Sequence, residues 1–373
     1  MKKRTLFHNG FNKMAQSDLR KAKKNQKDEF YTQLCDIEKE LKNYKNFLKG
    51  KTVLCNCDDP RVSNFFRYFS YSFEHLGLKK LITTCYKNQN IDLFSKNDSE
   101  QAIYLEYTGD KDGNRIPDIS EIGIKKLKGD GDFRSQECIE LLKQADVVIT
   151  NPPFSLFREY VAQLMEYEKK FLIIGNINCI TYKEIFSLIK ENKVWLGTGM
   201  GRWISGFIVP EQYELYGSEA RINEQGQRIV ATNNCLWLTN IDHHKRNEEL
   251  DLYKKYNPKE YPKYDNYDAI NVDKTSDIPM DYDGVMGVPI TFLDKYNPKQ
   301  FEIIALGNLN GFPPNKTYIN PISHIKGKER KNEMINSVLT LVGEDKKGNY
   351  YTADNIDYHI YAPYARILIK RKK

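Results

Sequence analysis

Short apolar runs alternate with amphipathic stretches over the first two thirds of this chain. The runs are rich in β-branched and aromatic residues, which is typical of strands buried on both faces of a parallel sheet. They are Thr52–Cys57, Lys80–Cys85, Val147–Thr150, Phe171–Gly175 and Lys193–Leu196. Helical periodicity lies between them, at Val62–Leu76, Ser135–Gln144, Leu156–Glu168 and Lys183–Glu191. This alternation predicts an α/β fold with a doubly wound, mostly parallel sheet.

The two ends of the chain differ in composition from this alternating region. Residues 1–27 carry nine lysines and arginines against a single acid, Asp18. After about Asn240, tyrosine, aspartate, asparagine and proline dominate, and the helical periodicity disappears. We therefore predict a basic arm over residues 1–27, an α/β domain over 28–240 and a second, irregular domain over 241–373.

Composition narrows the class of protein. A net charge of +7, with 29% charged residues, favours a polyanionic partner. The cysteine count is seven, and no Cys-x-x-Cys spacing occurs, which argues against a disulfide framework and a zinc module. No apolar run reaches the ~18 residues of a membrane span, and Met1–Arg4 is followed by polar sequence. We expect a monomer in the reducing cytoplasm, with no metal and no membrane partner.

The most informative stretch is Val147–Thr150 followed by Asn151-Pro152-Pro153-Phe154. Proline lacks the N–H that a ladder needs and forces the preceding residue out of the helical region. The chain must therefore leave the sheet in an extended turn. Such a turn presents the Asn151 amide, the Pro152 carbonyl and the Phe154 ring to one space. Two oxygen acceptors beside an aromatic ring suit a planar group with an NH2, such as adenine.

Val148–Phe154 resembles the signature of the N6-adenine DNA methyltransferases, and longer stretches resemble the EcoRI-type members of that family. These stretches are Lys27–Gln33, Cys55–Phe66, Gly129–Arg134, Ser205–Pro210, Tyr261–Tyr267, Gly284–Phe292 and Arg366–Lys370. The stretch from about residue 306 to 361 is not matched. The resemblance implies a Rossmann-like methyltransferase domain followed by a target-recognition domain. It also implies S-adenosylmethionine as cofactor and double-stranded DNA as partner.

The resemblance assigns three segments to the cofactor. Asp132 would accept the N6–H of the cofactor adenine and Phe133 would pack on its ring, although Asp132 has the alternative of capping the next helix. Tyr31 and Thr32 would close over the methionine end, with the Thr32 hydroxyl on its carboxylate. The alternative for Thr32 is a helix cap. The third segment is the loop after the first strand, Cys57-Asp58-Asp59-Pro60.

Two parts of the site stay open at this stage. The family places an acid after the second strand for the ribose hydroxyls, whereas this chain has Thr83-Thr84-Cys85-Tyr86 there. Tyr86 or an acid elsewhere must serve. A second aromatic wall for the target base would come from Trp203 or Phe207, for which ordinary core packing is the alternative.

In the second domain, basic residues are candidates for phosphate contacts, and the alternative for each is a solvated surface. They are Lys245, Arg246, Lys328 and Arg330, with the basic C-terminal residues 370–373. Three loop amides, Asn266, Asn271 and Asn308, are candidates for reading base edges. The arm over residues 1–27 is either a solvated tail or a segment that orders on phosphates.

These observations predict site-specific N6-adenine methylation of duplex DNA by a modification enzyme of a restriction system. The EcoRI-type likeness implies the inner adenine of GAATTC. One alternative is a protein-glutamine methyltransferase, because the Asn-Pro-Pro-aromatic turn also suits an amide NH2. The other is a non-catalytic DNA-binding protein on a methyltransferase scaffold.

Overall fold

A computed structural model describes residues 31–58, 63–86, 102–114, 117, 121–200, 204–209, 220–230, 234–308 and 314–372. The predictions for the arm 1–27, for Asp59 and Pro60 and for Trp203 lie outside these residues. The chain divides into two compact units. The first unit comprises Met1–Cys179 and Leu196–Ile241, and the second comprises Ile180–Trp195 and Asp242–Lys373. Residues 180–195 thus cluster with the second unit, although they fall inside the predicted α/β domain.

The first unit contains most of the helices among the described residues. They are α1 (Leu34–Leu41), α2 (Lys45–Leu48), α3 (Asn64–Tyr71), α4 (Phe73–Leu76), α5 (Gln136–Gln144) and α6 (Phe157–Glu166). The strands that begin in this unit or cross its boundary are β1 (Tyr31–Thr32), β2 (Thr52–Cys55), β3 (Lys80–Thr84), β4 (Ile103–Tyr107), β5 (Gly123–Lys126), β6 (Val147–Thr150), β7 (Lys170–Asn176), β8 (Trp195–Met200), β9 (Phe207–Val209), β10 (Arg221–Ile222), β11 (Arg228–Val230) and β12 (Cys235–Thr239).

The larger sheet of the described residues has eight strands in the order β5-β4-β3-β2-β6-β7-β12-β8. Its centre, β3-β2-β6-β7, is parallel, and every residue of β2 and β6 is buried. Outside this centre, β4, β5 and β12 pair antiparallel. The α/β character is as predicted, whereas the sheet is mixed, with four parallel central strands and antiparallel pairing of β4, β5 and β12. The carboxyl ends of the four parallel strands share one edge, where open α/β sheets bind ligands.

A smaller sheet in the same unit joins distant segments in the order β1-β9-β11-β10. Helix α1 follows β1 and buries Ile37 and Leu41, which are four residues apart and therefore lie on one face of the helix. The same helix also buries two acids, which periodicity alone places on the polar face. Glu40 accepts hydrogen bonds from the backbone N–H and hydroxyl of Thr198 at 2.7 and 2.6 Å. Asp36 accepts from the backbone N–H and hydroxyl of Ser205 at 2.9 and 2.8 Å. Burial raises the pKa of both carboxyls.

The second unit is not irregular throughout, which corrects the prediction. Its described residues form helix α7 (Lys183–Lys190) and two small sheets, β13-β14-β21-β15 and β17-β16-β19-β20-β18. The strands are β13 (Ile270–Asn271), β14 (Met286–Pro289), β15 (Phe301–Leu306), β16 (Ile322–Ile325), β17 (Lys328–Lys331), β18 (Leu341–Val342), β19 (Tyr350–Thr352), β20 (Ile360–Tyr361) and β21 (Arg366–Arg371). Short strands separated by long loops contain too few alternating apolar and polar residues to be recognised from the sequence. No helix within the described ranges is long and apolar enough to span a membrane.

Candidate active site

The turn after β6 has the extended exit that its prolines predict. Asn151 and Pro152 are buried, and Pro153 has φ −60° and ψ 122°. A single 3-10 turn, Phe154–Leu156, then leads into α6. The Asn151 side chain is 8% exposed, at the carboxyl edge of the parallel strands. The extended exit is therefore as predicted, and that the amide, the carbonyl and the ring face one space stays a prediction.

Phe154 is half buried and packs against the main apolar core of the first unit. Its ring meets the ring of Phe207 edge to face, with centroids 6.4 Å apart and planes at 74°. Phe207 is 1% exposed and lies opposite Thr32 in the pairing of β1 with β9. Phe207 is therefore a core residue that packs against Phe154. For Phe207 the structure favours the alternative of ordinary core packing over that of a second aromatic wall for the target base.

The loop after β2 is held by its own polar groups. The Ser63 hydroxyl donates to Asp58 Oδ2 at 3.2 Å, and its oxygen caps α3 by accepting from the backbone N–H groups of Phe65 and Phe66. Burial, and then the charge of Asp58, raise the pKa of the Cys57 thiol. Asp58 is thus fixed beside a neutral thiol at the edge of the sheet, where the cofactor loop is predicted.

Helix α6 connects the Asn151–Phe154 turn to both predicted cofactor loops. The buried Tyr160 hydroxyl donates to Asn56 Oδ1 in the loop after β2. The Tyr160 ring also meets Phe133 edge to face, with centroids 5.0 Å apart. Gln163 Nε2 donates to the Phe133 carbonyl at 3.1 Å. The sequence analysis missed Asn56, Tyr160 and Gln163. The i, i+3 spacing of Tyr160 and Gln163 on one helical face was the available signal.

Asp132 does not cap α5. Ser135 is the N-cap, and its hydroxyl accepts from Cys138 N–H at 3.3 Å. The Asp132 carboxylate instead forms a two-pronged ion pair with Arg134, in which Nε donates to Oδ1 at 2.9 Å and Nη2 to Oδ2 at 2.7 Å. The hydrogen bond from Arg134 is the main influence that lowers the pKa of Asp132. The carboxylate is therefore held ionised as a hydrogen-bond acceptor.

The end of β3 lies against the same loop. A Cβ on Gly131, whose φ is +80°, would fall 2.1 Å from the Cys85 carbonyl oxygen, so only glycine allows this approach. The hydroxyls of Thr83 and Thr84 are buried and have no hydrogen-bond partner among the described residues. Tyr86 is about half exposed, and the partial burial of its side chain, together with the charges of Asp130 and Asp132, raises its pKa. Two hydroxyls and a phenol thus stand at the end of β3, where the resemblance implied a ribose-binding acid.

The β1 segment, which is predicted to close over the cofactor, is tied to the rest of the first unit through Thr32. The Thr32 carbonyl accepts from Asn64 Nδ2 at 2.8 Å, which ties β1 to the start of α3. The Thr32 hydroxyl is buried without a hydrogen-bond partner in the described part of the chain. Gln33, not Thr32, is the N-cap of α1, so the capping alternative for Thr32 is wrong. An unused buried hydroxyl is the kind of group that a cofactor carboxylate would engage.

Two of the predicted phosphate contacts are used inside the second unit. Lys245 Nζ lies 2.6 Å from Asp294 Oδ1. The Arg246 guanidinium stacks 3.6 Å above the Trp195 ring. In contrast, Lys328 and Arg330 are exposed on β17, two residues apart and therefore on one face of that strand. The structure thus separates the candidates into an engaged pair and an exposed pair.

Two of the predicted base-reading amides are internal as well. Asn266 is fully buried, accepts from Thr340 N–H at 3.0 Å and donates to the Val338 carbonyl at 2.7 Å. Asn271 Oδ1 accepts from the Tyr264 hydroxyl at 2.8 Å and from Arg366 Nε at 3.1 Å. Neither amide is available to a base edge. Asn308 stays a prediction.

Within the described residues, one group of carboxylates has the closeness of a metal site. Single oxygens of Asp110, Asp112 and Glu121 lie within 4.8 Å of one another. Asp110 accepts from Gly113 N–H at 2.7 Å, and Asp112 accepts from Asn114 N–H at 2.9 Å. These bonds close the turn and account for the positions of both aspartates.

Comparison with known proteins gives a consistent result. The family model described as "Adenine-specific methyltransferase EcoRI" matches residues 18–372, which include the stretch 306–361. The chain is 59% identical over 301 residues to the Type II methyltransferase M.EcoRI of Escherichia coli, covering 80% of this chain and 90% of that protein. It is 41% identical over 288 residues to Type II methyltransferase M.MgeORF184P of Mycoplasma genitalium, covering 76% and 84%. It is 38% identical over 322 residues to Type II methyltransferase M.MpnI of Mycoplasma pneumoniae, covering 83% and 94%. No solved structure matches the chain.

Proposed function

Because this chain belongs to the family of EcoRI adenine-specific methyltransferases, we propose that it methylates N6 of an adenine rotated out of duplex DNA. We propose S-adenosylmethionine as the methyl donor. The observation that carries this proposal is the Asn151–Phe154 turn, whose amide, carbonyl and ring stand at the carboxyl edge of the parallel strands. The family is that of an enzyme, so the alternatives of a glutamine-directed enzyme and a non-catalytic DNA-binding protein gain no support.

The residues present fit this cofactor. Thr32 would bind its carboxylate through the unused hydroxyl, and the loop with Asp58 would hold its ammonium group. Thr83 or Thr84 would meet the ribose, and Asp132 with Phe133 would bind the adenine. The bound cofactor supplies an electrophilic methyl group on a positively charged sulfur. The fit rests on buried hydroxyls that lack partners in the described residues.

The chain's own part in the reaction is to position the target base. Rotating a base out of the stack costs roughly a few kcal/mol, and stacking on Phe154 would return ~1–3 kcal/mol. Asn151 Oδ1 and the Pro152 carbonyl would accept the two N6–H groups. Hydrogen bonds of this kind pull the N6 lone pair out of conjugation with the ring and aim it at the methyl group. Positioning and charge then supply most of the rate, and a strong base is not required.

For DNA binding, we propose that Lys328 and Arg330 contact phosphates. Both are exposed on one face of β17, and phosphate contacts position a protein without reading sequence. The basic arm 1–27 is proposed to add further phosphate contacts. A GAATTC-like target, as the modification half of a restriction system, follows from the EcoRI-type likeness.

The test is a methylation map. The chain is expressed in a host without adenine methylation, and every N6-methyladenine in a plasmid is located by single-molecule sequencing. Full methylation of the inner adenine in GAATTC supports the whole proposal. Methylation of adenine in another sequence would overturn only the target. A plasmid without N6-methyladenine, from cells that contain folded protein, would overturn the function.

A further inference from the structure

Arg134 leaves the two oxygens of Asp132 unequal. Its backbone N–H donates to Oδ1 at 2.8 Å, and its Nε donates to the same oxygen at 2.9 Å. Oδ2 accepts a single hydrogen bond from the described residues, from Nη2 at 2.7 Å. Each carboxylate oxygen offers two acceptor sites. Oδ1 is therefore saturated, while Oδ2 keeps one acceptor site.

Arg134 is itself anchored. Its Nη1 donates to Glu159 Oε2 at 2.9 Å, and Glu159 lies on α6, directly after the catalytic turn. Its guanidinium carbon also lies 5.3 Å from the centroid of the Phe133 ring. A planar guanidinium with both ends engaged gives Asp132 one preferred orientation, because the two-pronged contact prevents the carboxylate from rotating.

We propose that Arg134 is a positioning residue that makes the site selective for a 6-amino purine in the cofactor. It directs the remaining acceptor site of Asp132 Oδ2 toward the exocyclic amino group of adenine. This inference rests on the role proposed above for Asp132 and goes beyond it. The selectivity belongs to the Asp132–Arg134 pair, since a carboxylate that rotates freely would bind the amino group less well.

The chemistry predicts a specific signature. A purine with hydrogen in place of the 6-amino group cannot donate to Oδ2, so the remaining acceptor site of that oxygen would be shielded from water and left empty in the complex. Wild-type protein should therefore bind S-adenosylmethionine about ten-fold or more tightly than its 6-deamino analogue. Loss of Arg134 should weaken the binding of S-adenosylmethionine and leave the binding of the analogue nearly unchanged.

The experiment measures both dissociation constants by calorimetry on the full chain, for wild type, Asp132→Asn, Arg134→Gln and Arg134→Lys. Arg158→Gln, an exposed arginine on α6, is the matched control for loss of an arginine. Thermal unfolding of each variant checks that it folds. We expect Arg134→Gln to bring the ratio of the two constants to within about three-fold of unity, and Arg134→Lys to give an intermediate ratio, because lysine keeps the charge but not the fork.

The outcomes separate the inference from the proposal beneath it. If wild type and Asp132→Asn each bind S-adenosylmethionine and its 6-deamino analogue with equal affinity, the proposed role of Asp132 is wrong and the inference is wrong with it. If Asp132→Asn loses the discrimination while both folded Arg134 variants keep the wild-type ratio, the inference alone is overturned. A fall in the ratio for Arg134→Gln, with wild-type behaviour in Arg158→Gln, supports it.

Discussion

The proposed active-site edge of the first unit and the proposed basic surface of the second unit were predicted from equally simple residue patterns. The structure constrains the two sets of side chains differently. At the sheet edge, Asn151, Asp132 and Thr32 lie in segments that neighbouring elements hold in place. Strand pairing and a hydrogen bond hold the segment with Thr32, and a ring contact joins the loop with Asp132 to the helix that follows Asn151. In the second unit, Lys245 and Arg246 are occupied by Asp294 and Trp195.

The difference has a physical origin. Parallel strands bring their carboxyl ends to one edge, so a polar residue just after such a strand is placed at a site by topology. A lysine or arginine after an irregular segment has no such constraint, and its long side chain binds whichever acid or ring lies nearby. A motif at a strand end is therefore placed by topology more closely than a basic pair on a short 3-10 turn such as His244–Asn247.

The largest expected effect comes from Asn151→Ala. Its oxygen is proposed to bind N6 most strongly as the lone pair changes geometry, so its loss should slow methyl transfer by about 100-fold or more. Binding of S-adenosylmethionine should stay close to wild type. Single-turnover methylation, with a parallel calorimetric titration of the cofactor, measures both. Near-normal turnover would remove Asn151 from the catalytic group.

Phe154→Ala should lower activity by weakening the rotated state of the base, with a loss of ~1–3 kcal/mol. Phe154→Tyr and Phe154→Trp retain an aromatic face and should keep much of the activity. Fluorescence of 2-aminopurine at the target position reports the rotation. The control is Phe207→Leu, which should lower the thermal midpoint because Phe207 is a core residue. An unchanged fluorescence response in Phe154→Ala would leave only a packing role.

Asp132→Ala should weaken S-adenosylmethionine binding by ~1–3 kcal/mol, since the variant has no carboxylate to accept a charge-assisted hydrogen bond. DNA affinity without cofactor should not change. The two affinities are measured separately, by calorimetry and by fluorescence anisotropy. Cofactor affinity equal to that of wild type would confine the Asp132–Arg134 pair to a structural role.

The smallest effect, and the most direct test of the contrast between the regions, comes from the second unit. Lys328→Gln with Arg330→Gln should reduce the slope of log K against log salt for DNA by about 0.9 for each phosphate that the protein no longer neutralises. Lys245→Gln should leave that slope unchanged and lower the thermal midpoint instead. Sequence preference should survive in both. The contrast fails if Lys245→Gln reduces the slope as much as the exposed pair does.

The sequence by itself determined the features that depend on a few neighbouring residues. Val147–Thr150 is a buried strand and the Asn151–Pro153 exit is extended, because β-branched side chains and prolines restrict the backbone locally. The apolar face of α1, with Ile37 and Leu41 inside, follows from helical period alone.

Tertiary structure decided every feature that needs a partner far along the chain. The period of α1 does not show that Glu40 is buried against Thr198, and nothing near Asn266 shows that it bonds to Thr340 and Val338. The antiparallel pairing of β12 with β7 joins segments more than fifty residues apart. Such contacts depend on which groups the fold brings together, and a buried polar group takes whatever partner satisfies its hydrogen bonds. Local pattern thus predicted the extended turn after β6, while long-range packing determined which charged and amide side chains remain exposed.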